Sequence, residues 1–260
     1  MGIEVGADTL PRRTILITGA SSGIGAATAR LLASPSNHLY LLARARDDAG
    51  RERLEAVAQD CDKRGAQVET IALDLADTAA IAGVRERVGG RLDGIVSNAG
   101  YAVKASFQDI TPDELMRSFA LGAMAFHALV GALRPALEDA QAASIVAVSS
   151  FVAHRFLAGA PFGATAAAKA GLEALVRSAA AEFAPRGIRV NAVAPGFVEK
   201  DDPGKSAMSE EAWRAAVAQI PIGRLGRPDD IAQVIAFLLD RRSAYLTGQV
   251  IHVDGGLTLG

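Results

Sequence analysis

The sequence predicts a doubly wound α/β fold, with a mostly parallel seven-stranded sheet in a three-layer α/β/α arrangement. Short apolar, β-branched runs alternate along the chain with longer Ala- and Leu-rich stretches at helical spacing. This alternation is typical of parallel strands joined by crossover helices. The apolar runs are continuous rather than alternating, which indicates strands covered by helices on both faces.

Seven runs are predicted strands, and no repeat, low-complexity tract or linker divides them. Residues 1–260 are therefore predicted to form a single domain. The predicted strands are residues 14–18, 39–42, 68–73, 94–97, 144–148, 188–193 and 249–253. The predicted helices are residues 25–33, 51–64, 78–88, 112–137, 165–184 and 231–239. The polar segment 199–211 interrupts the pattern as either a mobile loop beside a site or a solvated connection.

The composition excludes several classes of function. The chain has 27 Lys and Arg against 29 Asp and Glu, so no positive surplus favours nucleic acid or an anionic membrane. One cysteine and four dispersed histidines give no disulfide framework and no metal site. The longest uncharged stretch, residues 118–133, is shorter than the ~20 residues of a membrane span. We expect a cytoplasmic protein without an apolar signal segment.

A glycine-rich turn follows the first predicted strand and leads directly into a helix. It contains Gly19, Gly23 and Gly25 with Ser21, Ser22 and Ile24 between them. Glycines let the backbone approach a diphosphate, which the positive end of a helix dipole stabilises. The position of this turn in the α/β pattern predicts a Rossmann-type dinucleotide site.

The end of the second predicted strand indicates which dinucleotide binds. In proteins that bind a cofactor with a free ribose 2′-hydroxyl, an acidic residue at the end of this strand usually holds that hydroxyl. Here the position is occupied by Ala43, and Arg44 follows it. A guanidinium can bind two phosphate oxygens at once. Because NADP(H) carries a 2′-phosphate and NAD(H) does not, Arg44 favours NADP(H). The alternative is that Arg44 and Arg46 are solvated loop cations. Asp74, after the third strand, either binds the adenine amino group or caps the helix near Thr78.

Further motifs follow the later strands in a fixed order, and with them the chain resembles the classical short-chain dehydrogenase/reductase family over residues 12–256. These motifs are Ser97-Asn98-Ala99-Gly100, Ser149-Ser150, Asn191, Pro195-Gly196 and Asp254-Gly255-Gly256. The resemblance implies that the turn glycines line the cofactor phosphates. It also implies that Asn98, Ala99 and Gly100 support the sheet and the adenosine side, and that Pro195 and Gly196 flank the nicotinamide.

The family resemblance also implies a small-molecule substrate and a homodimer or homotetramer. Segments 231–239 and 249–253 correspond to the family's association region. The alternative is that these apolar segments only fill the protein's own core.

The family's active site combines a Tyr-x-x-x-Lys pair with a Ser that binds the substrate oxygen and an Asn that anchors a water. Lys169 and Ser150 match, and the resemblance implies that Lys169 also holds the nicotinamide ribose. Thr165 stands in the Tyr position, Ala120 in the Asn position, and Lys200 replaces a common nicotinamide-contacting Thr. A threonine hydroxyl does not ionise near neutrality. Thr165 therefore either bonds the substrate, or caps or starts the helix that follows it.

A small hydroxyl residue four positions before the lysine is similar to the arrangement in 2,4-dienoyl thioester reductases. Their enolate product needs oxyanion donors, and a Tyr from elsewhere completes the site. Tyr101, directly after Gly100, is the candidate here; packing in the site wall is the alternative.

These residues together predict an NADP(H)-dependent oxidoreductase that reduces a carbonyl compound or a conjugated enone or enoyl thioester. The catalytic candidates are Ser150, Thr165, Lys169 and Tyr101. The alternative is a catalytically weakened NADP(H)-binding relative that acts as a scaffold, sensor or partner subunit.

Overall fold

The computed structural model describes residues 12–157, 161–201 and 210–259. Within these residues, seven strands form one parallel sheet in the order β3-β2-β1-β4-β5-β6-β7. The strands are β1 Arg13–Thr18, β2 Asn37–Ala43, β3 Gln67–Ala72, β4 Gly94–Ser97, β5 Ser144–Val148, β6 Arg189–Pro195 and β7 Val250–Val253. The strand order reverses between β1 and β4, where sheets of this type bind ligands beyond the carboxyl ends of their strands.

Helices cover both faces of the sheet, which confirms the predicted three-layer architecture. They are α1 Gly23–Leu32, α2 Asp48–Lys63, α3 Thr78–Val88, α4 Pro112–Phe119, α5 Ala125–Glu138, α6 Gly163–Phe183, α7 Glu210–Val217 and α8 Pro228–Leu239. Because strand side chains alternate, Ile15 and Ile17 pack with α1, α2 and α8. Leu16 packs on the opposite face with α3, α5 and α6.

The predicted uninterrupted helix over residues 112–137 is wrong at one place. A π-helical turn, Ala120–Met124, separates α4 from α5, and the Ala125 N–H donates to the carbonyl of Ala120. Such a turn inserts an extra residue and rotates the side chains that follow it. The stretch Pro112–Glu138 is long and apolar enough to cross a membrane by length and composition alone. Phe126, Leu129 and Leu133 within it are buried in the core of the protein.

A side-chain cap accounts for the different start of α2. Helix α2 begins three residues earlier than predicted because the Asp47 carboxylate accepts a hydrogen bond from the Gly50 N–H at 2.7 Å. In α8, Ile231, Ile235 and Leu238 are fully buried against this protein's own core. These residues therefore have the internal role that the sequence left as an alternative. Most of the predicted loop, residues 202–209, lies outside the described residues.

Candidate active site

In the glycine-rich turn after β1, no side chains cover the backbone at the glycine positions before and at the start of α1. Gly19 has a positive φ of 65°, and a Cβ atom there would lie 2.7 Å from Nδ2 of Asn98. A Cβ atom on Gly25 would lie 2.2 Å from the carbonyl oxygen of Gly19. Ser22 is the N-cap residue of α1 but makes no side-chain cap. Gly19, Ser22 and Gly25, with Ser21, Gly23 and Ile24 in the same turn, form a cradle that fits a diphosphate.

Thr18 connects this turn to the segment after β4. Its Oγ1 accepts hydrogen bonds from the N–H groups of Asn98 at 2.9 Å and Ala99 at 3.0 Å. The Asn98 side chain donates back to the carbonyls of Thr18 at 3.0 Å and Gly19 at 3.3 Å. The run from Asn98 to Gly100 therefore braces the cradle.

A carboxylate that no sequence motif indicates lies at the same helix end. The Gly23 N–H donates to Oδ2 of Asp201 at 2.7 Å. Asp201 lies beyond β6, in the polar segment whose role was left open. Its negative charge uses the same backbone donor and helix dipole that attract a phosphate.

Arg44 and Asp74, which were predicted for the adenosine end, line one large cavity together with Arg46. This cavity has a volume of about 680 Å³ and also includes Met116 and Ala120. Arg44 is exposed, and Arg46 contacts the carboxylate of Asp74. Ala45, between the two arginines, has a left-handed φ of 41°, an uncommon conformation for a residue with a side chain.

Asp74 is not the cap of α3. Asp77 takes that role, because its Oδ1 accepts from the N–H groups of Ala79 and Ala80 at 3.1 Å. The capping alternative for Asp74 was therefore wrong. Partial burial opposes ionisation of Asp74, but the hydrogen bond from the Ala76 N–H and the charge of Arg46 lower its pKa overall. Asp74 is thus an ionised acceptor at the cavity wall.

Lys169 is partly buried on α6 beneath the segment after β4. Its Nζ donates to the carbonyl of Val148 at 2.7 Å. Burial lowers the pKa of Lys169 to about 8, and the charge of Glu173 opposes this shift. A Cβ atom on Gly100 would lie only 3.4 Å from Nζ, so the ammonium sits directly under that residue.

Thr165 lies one turn before Lys169 and is also buried. Its Oγ1 accepts a hydrogen bond from the Val103 N–H at 3.0 Å. The helix begins at Gly163 with Phe162 as its N-cap, so Thr165 lies in the first turn of the helix and does not cap it. Instead, its hydroxyl fixes the loop after β4 to α6.

Ser150 and Tyr101 approach this region from two strand ends. Ser150 follows β5, and its Oγ accepts from the Val152 N–H at 3.4 Å. The Tyr101 ring is partly exposed, with the Arg117 guanidinium 5.5 Å from its centroid, a cation–π contact. Tyr101, Thr165 and Lys169 line one small cavity, and Ser150 is not among its lining residues.

The predicted nicotinamide flank lies at the end of β6. Pro195 is the last residue of β6, and the Gly196 N–H donates to the carbonyl of Val253 at 3.2 Å. A Cβ atom on Gly196 would lie 2.9 Å from Cα of Asp254. Glycine therefore lets the chain pass closely over the end of β7.

Glu173 is a site residue that sequence reasoning missed. It is buried on α6, and its carboxylate accepts from the hydroxyl of Ser149. Its Oε1 also lies 2.9 Å from Nε2 of His154. Spacing could have revealed it, because residues four apart share a helix face and Glu173 follows Lys169 by four.

Comparisons with known proteins agree with this geometry. A family model described as enoyl-(acyl carrier protein) reductase matches residues 19–258. The 3-oxoacyl-(acyl-carrier-protein) reductase of Thermotoga maritima is 36% identical over 96% of this chain and 99% of its own length.

Two solved structures are similar over nearly their whole length. One, from Beutenbergia cavernae, is described provisionally as an NAD(P)-dependent gluconate 5-dehydrogenase with bound NADP at low occupancy. It has a TM-score of 0.86 and 31% identity over 96% of this chain and 98% of its own. The other is a short-chain oxidoreductase from Pseudomonas aeruginosa described as containing an atypical catalytic center. It has a TM-score of 0.82 and 34% identity over 94% of this chain and 97% of its own.

These relatives are oxidoreductases, and they give no support to the alternative of a scaffold or sensor. The family binds nicotinamide cofactors and acts on small molecules. The chain belongs to the classical short-chain dehydrogenase/reductase family and is an oxidoreductase of that family.

Proposed function

We propose that this oxidoreductase uses NADP(H) and reduces a carbonyl compound or a conjugated enone or enoyl thioester. The observation that carries the choice of cofactor is Arg44, exposed on the wall of the large cavity directly beyond the end of β2. A guanidinium at that position suits a 2′-phosphate, and Ala43 offers no carboxylate to a free 2′-hydroxyl. The relative from Beutenbergia cavernae, described with bound NADP, supports the same choice.

The cofactor would be held along the carboxyl edge of the sheet. The turn from Gly19 to Gly25, including Ser21, Ser22, Gly23 and Ile24, would bind the diphosphate through backbone N–H groups. Asp74 would accept from the adenine amino group, with Asn98, Ala99 and Gly100 along the adenosine side. Lys169 would bond the ribose, and Pro195 and Gly196 would contact the nicotinamide. The bound cofactor supplies the hydride.

The residues that face the substrate have separate tasks. The Ser150 hydroxyl donates a hydrogen bond to the substrate oxygen, where negative charge develops. Tyr101 donates the proton, and the neighbouring Lys169 ammonium stabilises the phenolate that remains. Thr165 holds the loop that carries Tyr101, through the Val103 N–H. The threonine thus positions the loop, and the phenol comes from position 101.

Position 165 is threonine where the family has tyrosine, so this active site is divergent. The relative from Pseudomonas aeruginosa described as having an atypical catalytic center supports the occurrence of such sites in closely similar folds. Without a phenol four residues before Lys169, an enolate-forming reduction is the easier reaction, because it needs oxyanion donors more than a strong acid.

A substrate panel tests this function. Purified protein is mixed with NADPH or NADH and with ketones, enones and enoyl thioesters, while the absorbance of the reduced nicotinamide is followed. We expect turnover with NADPH and at least one of these classes. Turnover no higher than that of a Lys169→Ala variant across the whole panel contradicts the proposal. Thr165→Tyr then separates the classes: gained ketone reduction indicates a carbonyl substrate, and lost enoyl reduction indicates a conjugated one.

We further infer that residues 1–260 act as one domain in the cytoplasm and assemble as a homodimer or homotetramer. The exposed side chains of Met116 and Met124, around the π turn, support association. Light scattering after size-exclusion chromatography measures the assembly, and a monomeric mass at micromolar concentration contradicts it.

A further inference from the structure

The turn that carries Ser150 is attached at both ends to one oxygen atom of α6. Ser149 precedes this residue, and its hydroxyl donates to Oε1 of Glu173. His154 follows it by four positions, and its Nε2 lies 2.9 Å from the same Oε1. A carboxylate oxygen has two lone pairs, so it accepts from both groups at once when Nε2 carries the proton. Glu173 therefore closes the segment 149–154 into a loop.

The bonds within this turn give the Ser150 hydroxyl only weak support. A single 3-10 turn spans Phe151–Ala153. Oγ of Ser150 accepts from the Val152 N–H at 3.4 Å, which is long for a hydrogen bond of this kind. The Phe151 ring packs on Phe197, with the ring centroids 4.8 Å apart. This packing holds the apolar side of the turn, so its polar side depends on the acceptor on α6.

Helix α6 holds the end of β5 at three points. Nζ of Lys169, one helical turn before Glu173, donates to the carbonyl of Val148 at 2.7 Å. The two hydrogen bonds to Glu173 are the other attachments. Residues four apart share a helix face, so all three attachments lie on the same side of α6. The position of Ser150 is thus set relative to the helix that carries Lys169.

Burial makes these attachments firm. Glu173 is 3% exposed and Ser149 is 4% exposed. A hydrogen bond is electrostatically stronger in such a site than in water, and a buried donor that loses its acceptor costs free energy. The His154 ring also contacts the ring of His252 in β7, with the centroids 4.5 Å apart, which limits its rotation. Both donors are therefore held where they bond Glu173.

We propose that Glu173 is a positioning residue for the Ser150 hydroxyl. By accepting from the residues on both sides of it, Oε1 of Glu173 fixes the turn and the direction in which the Ser150 hydroxyl meets the substrate oxygen. This role needs the acceptor atom, whereas the effect of Glu173 on Lys169 comes from its charge. Substitutions can therefore separate the two. The role rests on the proposed function, in which Ser150 bonds the substrate oxygen.

Hydrogen exchange measures the hold on the turn without any turnover. The N–H groups of Ala153, His154 and Arg155 donate within the turn, so their exchange reports its opening. We expect Glu173→Leu, which removes the acceptor, to speed this exchange about tenfold or more. Glu173→Gln keeps an acceptor oxygen and should exchange within about threefold of wild type. Glu182→Leu, exposed on the same helix, is the matched control. Unchanged exchange in Glu173→Leu overturns the proposal.

Two further variants give the same answer if Glu173→Leu does not fold. Ser149→Ala and His154→Phe remove the donors one at a time and leave the carboxylate in place. Each should speed the exchange about threefold, and the double variant about tenfold. His127→Phe, exposed on α5, controls for the change of ring. Wild-type exchange in the double variant overturns the proposal, because both bonds to Glu173 are then absent.

Kinetics test whether this hold serves the reaction. At a pH where the rate no longer rises on acidification, Glu173→Leu should lower kcat about ten- to a hundredfold, because a misplaced oxyanion donor slows the reaction. The KM for NADPH should stay within about twofold of wild type, since Glu173 does not line the large cavity. Glu173→Gln should recover most of the lost kcat, which loss of the charge alone would not predict.

Equal losses of kcat in Glu173→Leu and Glu173→Gln overturn the positioning role, and so does a wild-type kcat in Glu173→Leu. Absence of turnover in the wild-type protein overturns the proposed function. The exchange rates then still decide whether Glu173 holds the turn.

Discussion

Nε2 of His154 lies 2.9 Å from Oε1 of Glu173, a carboxylate that is buried one helical turn beyond Lys169. The same carboxylate accepts a hydrogen bond from the hydroxyl of Ser149, so two polar side chains from the segment around the end of β5 contact it. Its field also reaches Lys169 and favours the ammonium form. The protonation of Lys169 therefore depends on a residue that lines neither the large nor the small cavity.

Glu173→Gln tests this dependence. Burial lowers the pKa of Lys169 to about 8, and the Glu173 charge raises it, so removing the charge should lower this pKa further. If turnover needs the ammonium, its loss on raising the pH should occur at lower pH in the variant. The pH dependence of kcat measures this. Glu182→Gln, exposed on the same helix, should leave the profile unchanged, and a Glu173→Gln profile equal to wild type would falsify the coupling.

Tyr101→Phe should lower kcat by about a hundredfold or more, as expected for loss of a general acid. The KM for NADPH should change little, because Tyr101 is placed on the substrate side. Steady-state kinetics with the best substrate of the panel measures both constants. Tyr245→Phe, at a fully exposed side chain, is the control. Full activity in Tyr101→Phe would exclude this phenol as the proton donor.

Arg44→Ala should weaken NADPH binding about ten- to a hundredfold, because charge-assisted hydrogen bonds contribute about 1.5–3 kcal/mol. NADH binding should remain as it is, since NADH lacks the 2′-phosphate. Fluorescence titration of both cofactors gives the two dissociation constants. Arg53→Ala, exposed on α2, controls for the loss of one positive charge. If the binding of NADPH and NADH were weakened equally, Arg44 would not be the residue that recognises the 2′-phosphate.

Asp201→Asn should tighten NADPH binding. The carboxylate bonds the Gly23 N–H at 2.7 Å, and a charge at a helix N-terminus contributes about 0.3–1 kcal/mol, which corresponds to a two- to fivefold gain. The gain should shrink as salt is added. Calorimetric titration at two salt concentrations measures it, with Asp229→Asn in the first turn of α8 as the control. Weaker binding in Asp201→Asn would mean that the carboxylate does not compete with the diphosphate.

Thr165→Val should destabilise the fold by about 1–3 kcal/mol, because the Val103 N–H loses its acceptor. Thr165→Ser keeps the oxygen and should retain most of this stability. Urea denaturation of the three proteins gives the free energies of unfolding. A valine variant as stable as wild type would indicate that this hydrogen bond does not hold the loop.

The sequence predicted the sheet and the cradle well because both depend on local patterns. Continuous apolar runs between helices indicate buried parallel strands, and glycines at 19, 23 and 25 between a strand and a helix indicate a dinucleotide-binding turn. The residues around Lys169 were harder to predict. The π turn at Ala120–Met124 breaks the helical period, so spacing could not show that residues of this segment, such as Ser118, line the same small cavity as Lys169. Asp201 reaches Gly23 across 178 positions of sequence, and no periodic pattern carries such a contact.

Two threonine hydroxyls fix the stretch that carries Tyr101 at both ends. Thr18 holds the Ala99 N–H, and Thr165 holds the Val103 N–H, so only three residues separate the anchored positions. A segment this short has little conformational entropy left to lose when a substrate binds. A new substrate preference is thus more readily acquired by exchanging side chains at positions 101 and 102 than by reshaping the loop. The same two anchors give a mechanical connection between the phosphate cradle and α6, so strain introduced at one reaches the other through four peptide bonds.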